Sequence, residues 1–324
     1  MSTLALPSRL RLDAQAAPYL VMAAVLVAMV ALQTTLLDPS NFLTFFLKPV
    51  MPAALLAVGQ VFVVTAGDFD LSVGSQVTLS AILASEVVGG EDGRWLLGLA
   101  VIMGVSLVVG LINAAVTLLL KVPSLLGTLG MLLVLDGTAR LVTDGVPSNI
   151  LPEAFRQWGR GGFAVDPLLR QLPWSVVIAV PVMILAGVLL HRTTFGNQIT
   201  IVGGNPRAAR VSGIPSAAVR FRAFLLSSTL AGIAAFLLSG FTGVSLDLGT
   251  GLEFQAIAAV VLGGAVLGGG KGSVPAAVAG AVTLAALFTV LNLLGLPQPL
   301  RLTVQGLILI GAVAIAARST RKGN

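Results

Sequence analysis

Ten stretches of this chain are long and apolar enough to cross a lipid bilayer, and little between them could cover a water-soluble globule. They lie near residues 18–37, 43–65, 71–88, 95–120, 123–143, 173–191, 219–241, 252–269, 273–294 and 302–318. A membrane helix needs about 20 mostly apolar residues. In lipid each span must satisfy its own backbone, which leaves helices or closed barrels. Runs of this length read as helices, so the expected fold is all-α and polytopic, one transmembrane domain over 1–324. Composition agrees: 56% of residues are hydrophobic and 10% charged, against about 25% charged in soluble chains.

Basic residues orient the spans. With the N-terminus inside, the cytoplasmic side receives Arg9, Arg11, Lys121, Arg192, Arg207, Arg210, Arg220, Arg222, Lys271, Arg318, Arg321 and Lys322, most of the 19 cations. That bias fits an even number of crossings with both termini cytoplasmic. The net charge of +6 therefore marks membrane orientation and not nucleic-acid binding. Residues 18–37 are too long for a secretory signal, and the small-residue stretch AQAA precedes them, so they read as an uncleaved first span. Two connections stand out. Residues 144–171 form a polar, Gly/Pro-broken extracytoplasmic loop, and residues 192–218 a strongly basic cytoplasmic one. Spans 2–5 and 7–10 have similar layouts in opposite orientations, the pattern of inverted repeats.

The stretch TAGDFDLSVGS, from residue 65, places Asp68 and Asp70 in hydrocarbon. An ionised carboxylate there is costly unless something solvates it. Asp70 precedes a helix start, where free amides and the dipole favour an anion. It serves either as a buried cap or, with Ser72 and Gln76, as a border of the solute path. Other polar groups within spans, Asn113, Thr128, Gln255 and Asn292, are further path candidates. Asp136 and Arg140 lie four apart on one helical face and read as a mutually neutralising structural ion pair. No cysteine and a single histidine, His191, leave no metal centre to expect. GGGKGS at 268–273 resembles a phosphate loop but fails the pattern: position 265 is Ala, and Lys271 is followed by Gly272. It reads as a helix–helix turn, and no bound cofactor is expected on this chain.

In the cytoplasmic loop, GGNPRAARVSGI (203–214) spells a short capped helix. Asn205 suits the N-cap, Pro206 the first turn, and Gly213 the C-terminal exit. Such a basic rod is either a docking element or a connecting turn kept basic for topology.

These stretches, with VPSLLGTLGMLLVLDGTARLVTDG, TTFGNQITIVGGNPRAARVSGI, AIAAVVLGGAVLGGGKGSVPAAVAGA and LNLLG, resemble in order and spacing the ribose-type family of ABC importer permeases. The resemblance covers essentially the whole chain. It implies a permease of the bacterial inner membrane that passes a monosaccharide or similar polyol inward. It also implies a second permease subunit, a cytoplasmic ATPase carrying ATP and Mg, and an extracytoplasmic sugar-binding protein. ATPase coupling would then fall on Gly204, Asn205, Arg207, Ala208, Ala209, Ser212 and Gly213. One departure is visible: the family has Gly-Gly-Ile-Asp where this chain has Gly67, Asp68, Phe69 and Asp70. The rival reading is an ion-coupled secondary transporter using Asp68 or Asp70 as its cation site. An intramembrane protease is disfavoured, because His191 lies at a cytoplasmic helix end and no Gly-x-Gly-Asp segment is present.

Overall fold

The computed structural model describes residues 8–147, 150–165, 169–297, 299–301, 303–304, 306–308 and 310–311, with side chains from residue 16 except at Leu169. Most of the expected span 302–318 lies outside the described residues. In chain order the helices are α1 (Ser8–Leu32), α2 (Pro39–Asn41), α3 (Lys48–Thr65), α4 (Val73–Val88), α5 (Trp95–Leu118), α6 (Ser124–Val142) and α7 (Glu153–Arg160). A hairpin of β1 (Gly162–Val165) and β2 (Leu169–Pro173) follows. Then come α8 (Trp174–Arg192), α9 (Thr194–Gly204), α10 (Pro206–Val211), α11 (Ser216–Thr242), α12 (Leu252–Leu262) and α13 (Val274–Leu293). Among the described residues six helical runs are long and apolar enough to cross a membrane, and Ala16–Leu32, Val73–Val88 and Leu252–Leu262 are shorter apolar helices. α12 stops well before the expected residue 269, because Gly264 takes a left-handed φ of +79°.

α2 and α3 form one run, Pro39–Thr65, joined by a π-helical stretch at Phe42–Leu47. The prolines explain the wide turn. Pro49 and Pro52 have no N–H for the carbonyls one turn back, and Lys48 N instead bonds five residues back to Leu43 O. This run is the axis of the bundle, 78% buried over its apolar window, while the windows of α6 and α8 are 17% and 28% buried. α11 packs along α3, and Leu55, Leu56, Phe62, Phe224 and Leu237 are sealed between the helices. α6 and α8 therefore turn Leu126, Leu133, Leu141, Ile184 and Leu185 outward, a surface suited to lipid or to another chain.

The 144–171 element departs from the all-helical expectation. It folds as α7 plus the antiparallel hairpin, in which Phe163 faces Leu172. Aromatic contacts seat it: Phe155 meets Phe236 edge-on at 4.8 Å, and Trp158 lies 5.5 Å from Trp95 and 5.2 Å from Trp174. Arg160 Nε donates to Phe241 O at 3.1 Å, and Lys48 Nζ donates to Arg160 O at 3.0 Å. The 19 residues of α8 lead from this element to Arg192, about 28 Å of helix, close to the hydrocarbon thickness of about 30 Å. The hairpin and the basic loop thus sit at opposite ends of the bundle.

Candidate functional site

The helical ladder breaks between Thr65 and Val73, and the break is where both acids lie. Irregular backbone at membrane depth is tolerated only where protein covers it and supplies partners. Here α6 supplies them. Phe69 N donates to Ser124 Oγ at 3.1 Å, and Leu71 N donates to Thr128 Oγ1 at 3.0 Å. Ser124 and Thr128, one turn apart, present two acceptors to the crossing chain.

Asp70 is fully buried. Its Oδ1 accepts from Ser72 N at 3.1 Å, Ser72 Oγ at 2.6 Å and Asn113 Nδ2 at 3.4 Å, while Oδ2 accepts from Ser227 Oγ at 3.2 Å. Asn113 Nδ2 also donates to Ser72 Oγ at 2.8 Å. One carboxylate thus ties together α4, α5 and α11. Gln76 extends the network, with Nε2 donating to Ser228 O at 2.8 Å.

Asp68 has a different partner. Arg220, one turn into α11, grips it with Nε to Oδ2 and Nη2 to Oδ1, both at 2.6 Å. This parallel fork is the strong form of a charge-assisted pair. The Asp68 side chain is 4% exposed and that of Arg220 32%, so the pair spans the border between interior and surface. Sequence reading missed Arg220 as this partner. The available signal was that a buried acid requires a cation and that Arg220 and Arg222 open an otherwise apolar helix.

Just beside the break three backbones cross. Gly270 N donates to Thr65 O at 2.9 Å. A Cβ on Gly203 would overlap the Thr65 carbonyl, and one on Gly269 would come within 2.9 Å of Gly67 Cα. The GGGKGS turn, the end of α3 and the end of α9 are therefore pressed together, directly before the capped rod.

The rod α10 has the expected anatomy. Asn205 Oδ1 accepts from Arg207 N at 3.1 Å and Ala208 N at 3.0 Å, and Pro206 occupies the first turn. Ile214 N donates to Ala209 O, and Gly213 takes φ +71° at the exit. Gly204, Asn205, Arg207, Ala208, Ser212 and Gly213 are exposed, whereas Ala209 is buried against the chain's own body. Val211, which sequence reading passed over, is 90% exposed at the rod's C-terminal end. Asn205→Ala is expected to cost about 1 kcal/mol, read as roughly fivefold faster amide exchange over 207–211 with the rest of the bundle unchanged.

The remaining candidates are dispersed. Gln255 on α12 is half-buried beside a cavity of about 210 Å³ that Phe45, Phe46 and Thr289 also line. Asn292 is exposed and accepts from Arg301 Nη1 at 3.0 Å. Asp136 and Arg140 pair at 3.0 and 3.3 Å, with side chains 40% and 52% exposed on the outward face of α6. Among the described residues no cluster of His, Cys, Asp and Glu could hold a metal ion.

A family model described as "Branched-chain amino acid transport system / permease component" matches residues 42–313. The chain is 33% identical to the ribose import permease protein RbsC of Bacillus subtilis, over 92% of this chain and 91% of that protein. It is 32% identical to the L-arabinose transport system permease protein AraH of Escherichia coli K12, covering 81% and 78%. It is 30% identical to the inner membrane ABC transporter permease protein YjfF of the same organism, covering 68% and 66%. No solved structure matches.

Proposed function

The chain belongs to this family of transport-system permease components, and from that premise we propose that it translocates a monosaccharide or similar small polyol delivered by an extracytoplasmic binding protein. It is an integral membrane protein and the permease component of an ABC importer, with ATP hydrolysis left to a separate subunit. In this reading it makes ten crossings as two inverted repeats, with both termini cytoplasmic. ATP and Mg bind on the partner ATPase.

The observation that carries the reading is the rod at 205–213. It is capped at both ends, basic, and exposed along all but its Ala209 edge. An isolated single-turn helix is unstable in water, so its caps and its glycine-packed base preserve a shape that the body of the bundle does not use. We assign it to ATPase docking, with Val211 entering an apolar notch and Arg207 and Arg210 meeting acidic groups. Closure of the ATPase then displaces the rod. The displacement shifts the permease only if the outward- and inward-open states contact the ATPase differently.

The Asp136–Arg140 pair supports a second permease subunit. Two charges on an outward apolar face suit an aqueous path or a subunit seam better than acyl chains. The buried polar line of Asp70, Ser72, Gln76 and Asn113 then lies behind α6, whose own Thr128 faces it. The ion-coupled alternative finds less support: Asp68 already has its cation, and Asp70 is surrounded by donors.

Co-expression with the partner ATPase tests the assignment. Val211→Asp combined with Arg207→Glu is expected to leave insertion and the detergent melting profile unchanged while reducing ATPase co-purification at least tenfold. Both side chains are exposed, so folding is not at stake. Undiminished co-purification would reject the docking role. Ala209→Asp is the poorer probe, since it charges a buried position.

A further inference from the structure

The outward face of α8 carries a groove with no role in the machinery described so far. Between α8 and α13 lies a space of about 540 Å³, open to the side and lined almost wholly by apolar groups. Met183, Ile184 and Val188 form one wall, and Val274 and Val278 the other. Gly187 makes the floor deep: a Cβ there would meet only Val274, at 3.8 Å. The groove ends at His191 and Arg192. Arg192 is exposed and has no ion-pair partner among the described residues. His191 Nε2 accepts from Val274 N at 3.4 Å, which leaves Nδ1 as the donor of that ring.

Length and charge select the occupant. From Val180 to Arg192 the lining covers about 18 Å of helix, against the about 15 Å that is half of a bilayer core. The groove therefore runs the depth of one leaflet, apolar throughout, and meets a cation at headgroup level on the side of the basic rod. Water finds too few polar partners in such a lining. We propose that this groove is a binding site for an anionic phospholipid, one acyl chain lying along Gly187 and the phosphate meeting Arg192 and His191. Anionic lipids are drawn to basic groups at the cytoplasmic surface, so the assignment to that leaflet rests on the orientation given above but is independent of the solute.

The test uses the full-length chain in nanodiscs of phosphatidylcholine or phosphatidylglycerol, with retained lipid counted by native mass spectrometry after detergent transfer. Wild type is expected to keep phosphatidylglycerol in preference to phosphatidylcholine. Arg192→Gln, at an exposed position, should reduce that preference about fivefold, the worth of one cation at a lipid surface. Gly187→Leu fills the groove and should lose both lipids, with an unchanged size-exclusion profile. Equal lipid retention by Gly187→Leu overturns the proposal. So does a change of oligomeric state at unchanged lipid count, which would assign the groove to a second copy. Displacement of the lipid signal by inorganic phosphate would reduce the site to a free-anion contact and equally overturn it. None of these readouts uses transport, so a wrong solute or partner leaves the lipid test standing.

Discussion

Asp70→Ala is expected to destabilise the bundle by about 4 kcal/mol, the sum of several buried donors left unpaired. The residue satisfies one backbone amide, two hydroxyls and one side-chain amide drawn from three helices. Each buried donor left without a partner costs about 1–3 kcal/mol. Ser227 can turn its hydroxyl to a carbonyl one turn back in α11, but Ser72 N and Ser72 Oγ have no ready substitute. Asp70→Asn separates shape from charge. An amide oxygen in place of Oδ1 keeps the donors from Ser72 and Asn113, and an amide nitrogen in place of Oδ2 donates to Ser227 Oγ. That variant should lie within about 1.5 kcal/mol of wild type and keep transport. Both are read by tryptophan fluorescence during detergent melting and by uptake in proteoliposomes. A stable Asp70→Asn that has lost uptake would show that the negative charge itself serves the solute path.

The second large effect is an asymmetry in the Asp68–Arg220 pair. Removing one partner of a buried pair costs about 3–5 kcal/mol when the other charge stays buried. Arg220→Ala leaves Asp68 in that position, so about 3 kcal/mol is expected. Asp68→Ala leaves Arg220, already one-third exposed, free to extend its head to water, and should cost roughly half as much. Arg220→Lys loses the fork and falls between them. The double variant Asp68→Ala with Arg220→Ala should cost less than the two single losses added together, giving a coupling energy of about 2 kcal/mol in a double-mutant cycle. The same variants report on transmission. Arg220 sits one turn into the helix that follows the rod, and Asp68 two residues before Asp70, so the pair joins the capped rod to the backbone break. Arg220→Ala is therefore expected to raise basal ATPase activity relative to uptake in the assembled importer. Equal losses in both activities would leave the pair a purely structural clamp.

What could be read from the residues alone was local. Apolar runs marked the helices because in lipid the backbone has no other partner over such lengths. The caps of α10 were legible because each acts locally: Asn205 on the amides two and three residues ahead, Gly213 on the carbonyl three residues behind. The Asp136–Arg140 pair was legible for the same reason, its partners being one helical turn apart. The order of motifs along the chain carried the family.

What compensates the two acids was decided only by the tertiary structure. Arg220 lies 152 residues from Asp68, and Ser227 157 residues from Asp70. No periodicity encodes such a meeting; it exists because α11 packs along α3. The inward turn of Ala209, the exposure of Val211, the folding of 144–171 into α7 and a hairpin, and the groove over Gly187 have the same origin. Each depends on which face of a helix its neighbours cover, and in a chain apolar on nearly every face the residue pattern does not mark that side.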